Sequence, residues 1–171
     1  MFWKLSLGNP NKVYEGEDPL PDKSKVAEAS SWNIELKDDD GRPVVIPEED
    51  FTVMPFRMAL DREEMAVLRR GHIPEVQEDH WFMYCDEEYI RYYRSWTGMI
   101  GFEAHYLQEG DSYLVDRLKV NHHLCEFGLN GDEPAAFFFR YLLVAELGKD
   151  SALAWNEFAR VWAHTVEKYQ K

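Results

Sequence analysis

An α+β domain built on a central antiparallel sheet is the fold class this sequence predicts, and three observations predict it. Four aromatic or β-branched runs fall between residues 80 and 121, separated by turn chemistry and with no helical segment among them. Helical patterns follow from Asp132 towards the C-terminal end. The chain has 171 residues, 45% of them hydrophobic and 15% aromatic, which suits one domain over 1–171 with a packed core. Strands segregated from helices in this way give a meander covered by helices and not βαβ crossovers.

Residues 1–50 are rich in Gly, Pro, Asn and acids, in stretches such as GNPNKVYEGEDPLPDKSK and KDDDGRP. Short apolar islands interrupt them. Trp32 to Leu36 alternates, Asp40-Gly41 is a turn signal and Val44 to Ile46 fits a return strand, so a hairpin packed on the same core is expected here. The KDDD run lacks the alternating acids, mid-loop glycine and closing glutamate of a calcium loop and reads as a solvated turn.

Asp61-Arg-Glu-Glu64 has the spacing of a capping box, Met65 and Leu68 share one face, Gly71 can end a helix in the left-handed conformation, and Pro74 prevents its resumption. The spacing predicts a short helix over about 62–70. Its apolar face is narrow, so it should lie across the sheet, at an edge, and not run through a core. The four strand runs are HWFMYC, EYIRYYRS, MIGFEAHYL and YLVDRLKVN, reversed at Asp86-Glu-Glu, Trp96-Thr-Gly98 and QEGDS. They form the centre of a sheet of about four to six strands. After them Asp132-Glu-Pro134 opens a helix that Gly148 stops, apolar nearly all round and therefore the most buried. Asp150-Ser151 caps the last one, where Trp155, Phe158, Trp162 and Val166 make a stripe that reads as core. These two helices are expected to cover the sheet.

The net charge is −13, and the acids outnumber the bases by 18 to 10 in residues 1–79 and by 14 to 9 in residues 80–171. Neither half is basic. That excludes a nucleic-acid backbone or an anionic membrane as main partner, because both require clustered Lys and Arg. An acidic surface suits solubility or a basic protein partner. Cys85 and Cys125 are the two cysteines and read as reduced, buried thiols, with a single disulfide as the alternative; with no signal peptide and no run approaching a membrane span, a cytoplasmic protein is expected.

The segment from Arg91 to Gly98, RYYRSWTG, is the densest in chemistry. Strand alternation sends Tyr89, Arg91, Tyr93 and Ser95 one way and Ile90, Tyr92, Arg94 and Trp96 the other, so the two arginines oppose each other. Arg94 must then be partly buried or paired. A hairpin turn at Trp96-Thr97-Gly98 brings Glu103 of the next strand, which shares a face with His105, near Arg91 or Arg94. Two readings follow. One is a cross-strand Arg–Glu ion pair. The other is a ligand site in which Arg94 clamps a phosphate or carboxylate with Arg91, Ser95, Thr97, Glu103 and His105 around it and Trp96 as a lid.

The line from Glu63 through Leu68-Arg-Arg-Gly71-His-Ile-Pro74 and Glu78-Asp-His-Trp-Phe82 to Arg94-Ser-Trp-Thr-Gly98 resembles a family of small uncharacterised bacterial proteins with an LRxGxIP helix end, an EDxWF strand and an RSWTG hairpin. The resemblance covers residues from about 60 to 105. It implies a bacterial origin and a helix-then-hairpin order, and it implies no activity. The N-terminal segment and the C-terminal helix pair lie beyond it.

No metal site is expected. His122 and His123 with Cys125 form the densest cluster, but adjacent strand residues face opposite sides, and no second cysteine or HxxxH spacing accompanies them. The chain has no G-x-G-x-x-G, Walker or G-x-S-x-G pattern, so no cofactor is implied and no catalytic residue is assigned. Asp79-His80 fits an acid/base pair or, more simply, a turn cap. Three functions stand: a protein-binding or regulatory module, which is favoured; a protein that binds or acts on a small anionic ligand through the RSWTG hairpin; and a hairpin that is purely structural.

Overall fold

In a computed structural model the described residues are 40, 42, 50–75, 79–94, 99–122 and 132–169. Apart from residues 40 and 42, the expected hairpin over 32–46 lies outside them, and so does the turn at 96–98. Five strands, β1 (Phe51–Leu60), β2 (Trp81–Cys85), β3 (Tyr89–Arg94), β4 (Ile100–Glu109) and β5 (Ser112–Asn121), form one antiparallel sheet in the order β1-β5-β4-β3-β2. Among the described residues three helices accompany it: α1 (Arg62–Arg69), α2 (Asp132–Glu146) and α3 (Ala152–Tyr169). The α+β class, the β2-to-β5 meander and the C-terminal helix pair therefore stand as the sequence predicts them.

Five strands lie within the expected four to six, and the fifth, β1, falls on residues to which the local pattern assigns no element. Its alternation is legible in retrospect, with Met54, Phe56, Met58 and Leu60 turned to the core, but Pro55 interrupts the run. Proline has no N–H for a ladder and is tolerated on an edge strand or at a bulge. Both conditions hold: β1 is an edge strand, and its register with β5 shifts between Pro55 and Met58.

Alternation then divides the sheet. Phe56 and Leu60 of β1, Val115 and Leu118 of β5, Phe102 and Ala104 of β4, Ile90 and Tyr92 of β3, and Met83 and Cys85 of β2 enter one buried cluster on the inner face. Two helices close that face directly. α2 lays Phe139 against Phe56 at 5.2 Å, Phe102 at 5.5 Å and Tyr92 at 5.9 Å, while Phe138 meets Trp81 and Phe102. α3 packs on α2 as a further layer, with Trp155 on Tyr141 and Phe158 on Phe138. Its stripe accordingly runs from buried Phe158 to Trp162, which is 40% exposed.

α1 solves a topological problem. β1 and β2 run in the same direction at opposite edges of the sheet, so the chain must cross it between them. Asp61 caps the crossing helix in the expected capping box: its Oδ1 accepts from the Glu64 N–H at 2.8 Å, and Glu64 Oε2 accepts from the Asp61 N–H at 2.8 Å. Met65 and Leu68 are buried, and Gly71, at φ +71°, turns the chain out of the helix. His72 then exchanges two backbone hydrogen bonds with Met83, covering part of the β2 edge. Gly148, at φ +66°, ends α2 in a Schellman arrangement, with Lys149 N–H donating to the Val144 carbonyl and Gly148 N–H to that of Ala145.

Phe139 is fully buried among three rings. Phe139→Ala should lower stability by about 3–5 kcal/mol, read as a shifted urea midpoint at unchanged slope. Tyr92 is equally buried, its hydroxyl has no hydrogen-bond partner among the described residues, and burial pushes the phenol well above its ordinary pKa. Removing an unsatisfied buried hydroxyl relieves its desolvation cost. Tyr92→Phe should therefore stabilise the fold by about 1 kcal/mol in the same measurement, and a clear loss of stability would show that the hydroxyl has a partner.

Candidate functional site

The outer face of the sheet carries the polar groups. Two transverse rows cross it: Arg91, Glu103 and Lys119 in register on β3, β4 and β5, and Tyr89, His105 and Arg117 beside them. At the β2–β3 turn, Asp86 Oδ1 accepts from the backbone N–H groups of Glu88 at 2.9 Å and Tyr89 at 2.8 Å. This turns the other carboxylate oxygen towards the first row.

Arg91 donates from Nε to Glu103 Oε2 at 2.8 Å and from a terminal nitrogen to Asp86 Oδ2, and its guanidinium lies 4.8 Å from the centre of the Tyr89 ring. Burial by itself lowers the pKa of Arg91, and the two carboxylates more than reverse that, leaving it raised. For Asp86, burial pushes the carboxyl upward, while the guanidinium and the Glu88 and Tyr89 N–H groups outweigh it and hold the group below its ordinary value. The cross-strand Arg–Glu pair is thus present, with Asp86 as a third member. A guanidinium held by two carboxylates is poorly placed to clamp an external anion.

His105 belongs to the second row. Its Nδ1 lies 2.6 Å from Asp116 Oδ1, and its ring meets that of Tyr89 at 5.5 Å in a T-shaped contact. The carboxylate reaches it through a β-bulge: His105 pairs with Arg117 and Tyr106 with Val115, leaving Asp116 as an extra residue in β5. Asp116 and Arg117 consequently project to the same outer face. Neither residue was singled out from the sequence, although a signal is there, because YLVDRLKV loses its alternation at the adjacent polar pair Asp116-Arg117. A second bulge, where Tyr93 pairs with Ile100 and Tyr92 with Phe102, frees the Ile100 carbonyl, which accepts from Asn121 Nδ2 at 2.7 Å. Asn121 is fully buried.

Arg94 is on the inner side, its guanidinium 5.0 Å from the centre of the Trp81 ring, and desolvation lowers its pKa. The two arginines oppose each other as alternation requires, so the described residues bring Arg91, Glu103 and His105 together and leave Arg94 apart from them. Ser95, Trp96 and Thr97 lie outside the described residues. Cys85 is buried, and desolvation drives its thiol up to about 12, which makes it inert at neutral pH. Cys125 and His123 are not among the described residues, while His122 contacts Thr52 Oγ1 through Nε2.

A separate polar cluster stands at the β2 edge. His72 Nδ1 is 3.3 Å from Glu146 Oε1 at the end of α2, and Nε2 is 3.9 Å from Asp79 Oδ2. Carboxylates on opposite sides of one ring make a clamp between α2 and the segment that leads into β2, and they cannot share a metal through that ring. Among the described residues no group of three His, Cys, Asp or Glu side chains is placed to hold a metal ion, and no helix is long and apolar enough to cross a membrane.

Arg91→Gln should cost about 2 kcal/mol near neutral pH by leaving Asp86 and Glu103 half-buried without their cation. The depressed Asp86 carboxyl contributes stability that is present above its ordinary value near 4 and lost as pH falls through the folded-state value. The gap between wild type and variant should therefore narrow as pH drops below about 4. Urea denaturation at several pH values measures it, and a gap independent of pH would contradict the assignment.

No family model, no curated protein and no solved structure matches this chain.

Proposed function

We propose that the protein is a binding module of the bacterial cytoplasm, and that the β4–β5–β1 half of its outer sheet face receives a basic protein partner. One observation carries this reading: among the described residues the packed helices all lie on the inner face, while the outer face exposes Val53 at 57% and Leu107 at 36% beside the charged rows. Exposed aliphatic side chains within a polar surround suit a protein contact.

The partner's charge follows from what borders that half-face. The β2–β3 and β4–β5 turns point to the same end of the sheet, where α1 also begins, and Glu87, Glu88, Glu109, Asp111, Asp61 and Glu63 are all exposed there. Arg62 pairs with Asp111 at 2.9 Å, both side chains well exposed, and no described cation pairs with Glu63, Glu87, Glu88 or Glu109. Such an end accelerates encounter with a positive partner more than it tightens the final complex. The bacterial setting draws its support from the motif resemblance, and the cytoplasmic one from the buried, reduced Cys85. An anion clamp built from both arginines has less support, given that Arg91 is held by two carboxylates and Arg94 faces inward.

The test is affinity capture by the full-length protein from bacterial lysate, followed by measurement of each captured protein's affinity. A basic partner is expected whose binding weakens at least about tenfold in Leu107→Asp and falls steeply with salt, while Leu153→Asp on α3 leaves it unchanged. Capture that is indifferent to Leu107→Asp, or lost equally in Leu153→Asp, would remove this face from consideration.

A further inference from the structure

The β5 bulge puts two side chains on the outer face where a regular strand puts one. Asp116 takes His105 Nδ1 at 2.6 Å, which leaves Nε2 as the free edge of the ring, and Arg117 stands directly opposite His105 in register. Residues paired across an antiparallel ladder have Cβ atoms about 5 Å apart, so guanidinium and imidazole can reach one small ligand. Arg117 is exposed, and among the described residues nothing pairs with it or with His105 Nε2.

We propose that His105, Asp116 and Arg117 form a binding site for a phosphoryl group, of the kind carried by a small phosphate monoester. Arg117 presents the planar donor fork that suits phosphate oxygens. His105 contributes Nε2, and Asp116 holds the ring so that this edge stays directed outward. A phosphate monoester, with a second pKa of about 6, is mostly the dianion near neutral pH, and a minor fraction keeps one O–H beside its O⁻ groups. It can donate to a neutral Nε2 or accept from a protonated one, so it matches the imidazole in either state. A carboxylate or sulfate, which lacks that proton, matches only the protonated ring. Among the described residues, Asp86, Glu103 and Asp116 on this face are matched by Arg91, Lys119 and Arg117, so the Arg117 guanidinium works against the acids Glu87, Glu88 and Glu109 at the nearby end of the sheet. Tyr89, edge-on to His105, walls the site on the β3 side.

This site does not rest on the protein-partner reading, because Arg117→Ala leaves Leu107 and the acidic end in place. The probe is inorganic phosphate, titrated into isotope-labelled full-length protein at constant ionic strength while the His105 ring resonances are followed by NMR. Sulfate and acetate serve as comparison anions. Saturable shifts with a millimolar dissociation constant are expected for phosphate, weaker by about tenfold or lost in Arg117→Ala, with sulfate and acetate giving markedly less. Asp116→Asn should weaken phosphate binding and change the ring tautomer, a signature that a merely structural pair would show without any loss of phosphate affinity. The backbone spectrum reports whether each variant remains folded, and substitution of exposed Arg117 should leave it so. Three results overturn the proposal: no saturable response up to about 50 mM phosphate, equal responses to all three anions, or an undiminished response in folded Arg117→Ala.

Discussion

Phe138 and Phe139 are neighbours on α2, yet between them they touch Trp81, Tyr92, Phe102 and Phe56, residues drawn from four of the five strands. This aromatic layer is the contact that commits one face of the sheet to the interior. Aromatic rings bury large areas and gain further from edge-to-face geometry, so a single helix suffices to seal the middle of the sheet. α3 then covers α2 with Phe158 and Trp155, and α1 closes the end where β1 must cross to β2.

Because a strand alternates, committing one face to the interior dictates the other. Polar residues one position away from the buried ones gather on the outer face, and the ladder registers decide which of them meet. Arg91 opposite Glu103 is a consequence of register, and the Asp86 turn adds a second carboxylate to the same guanidinium. Bulges modify this rule, and besides the one beside Pro55 two bear on polar groups. At Ile100-Gly101 the freed carbonyl is satisfied by buried Asn121, and at Asp116 the extra residue turns an acid onto His105. At both places the displaced polar group finds a partner, as an unpaired buried group would be costly.

Local signals made much of the architecture legible. The Asp61–Glu64 capping box, the left-handed Gly71 and Gly148, the acid-rich turn at Asp86 and the period-2 runs of β2 to β5 depend on neighbours a few residues away, and all of them formed as read. β1 is not legible locally, because Pro55 interrupts its run and is compatible with a strand only at a sheet edge or bulge, which is a fact about pairing with β5 at the far end of the meander. The candidate site divided along the same line. The opposition of Arg91 and Arg94 follows from alternation alone, whereas the approach of Asp116 to His105 needed the bulge, and that of Glu146 to His72 joined residues from the end of α2 and the edge of the sheet.

The amino-acid sequence by itself thus determined the identity and order of most elements and the face to which each strand residue points, since propensity, capping and periodicity act over one or two turns of chain. Tertiary structure alone decided which charges pair, where the bulges fall and which face of the sheet the described helices cover. Those outcomes depend on register between strands distant in sequence and on which surface the α2 aromatics occupy, and neither is encoded in any short stretch.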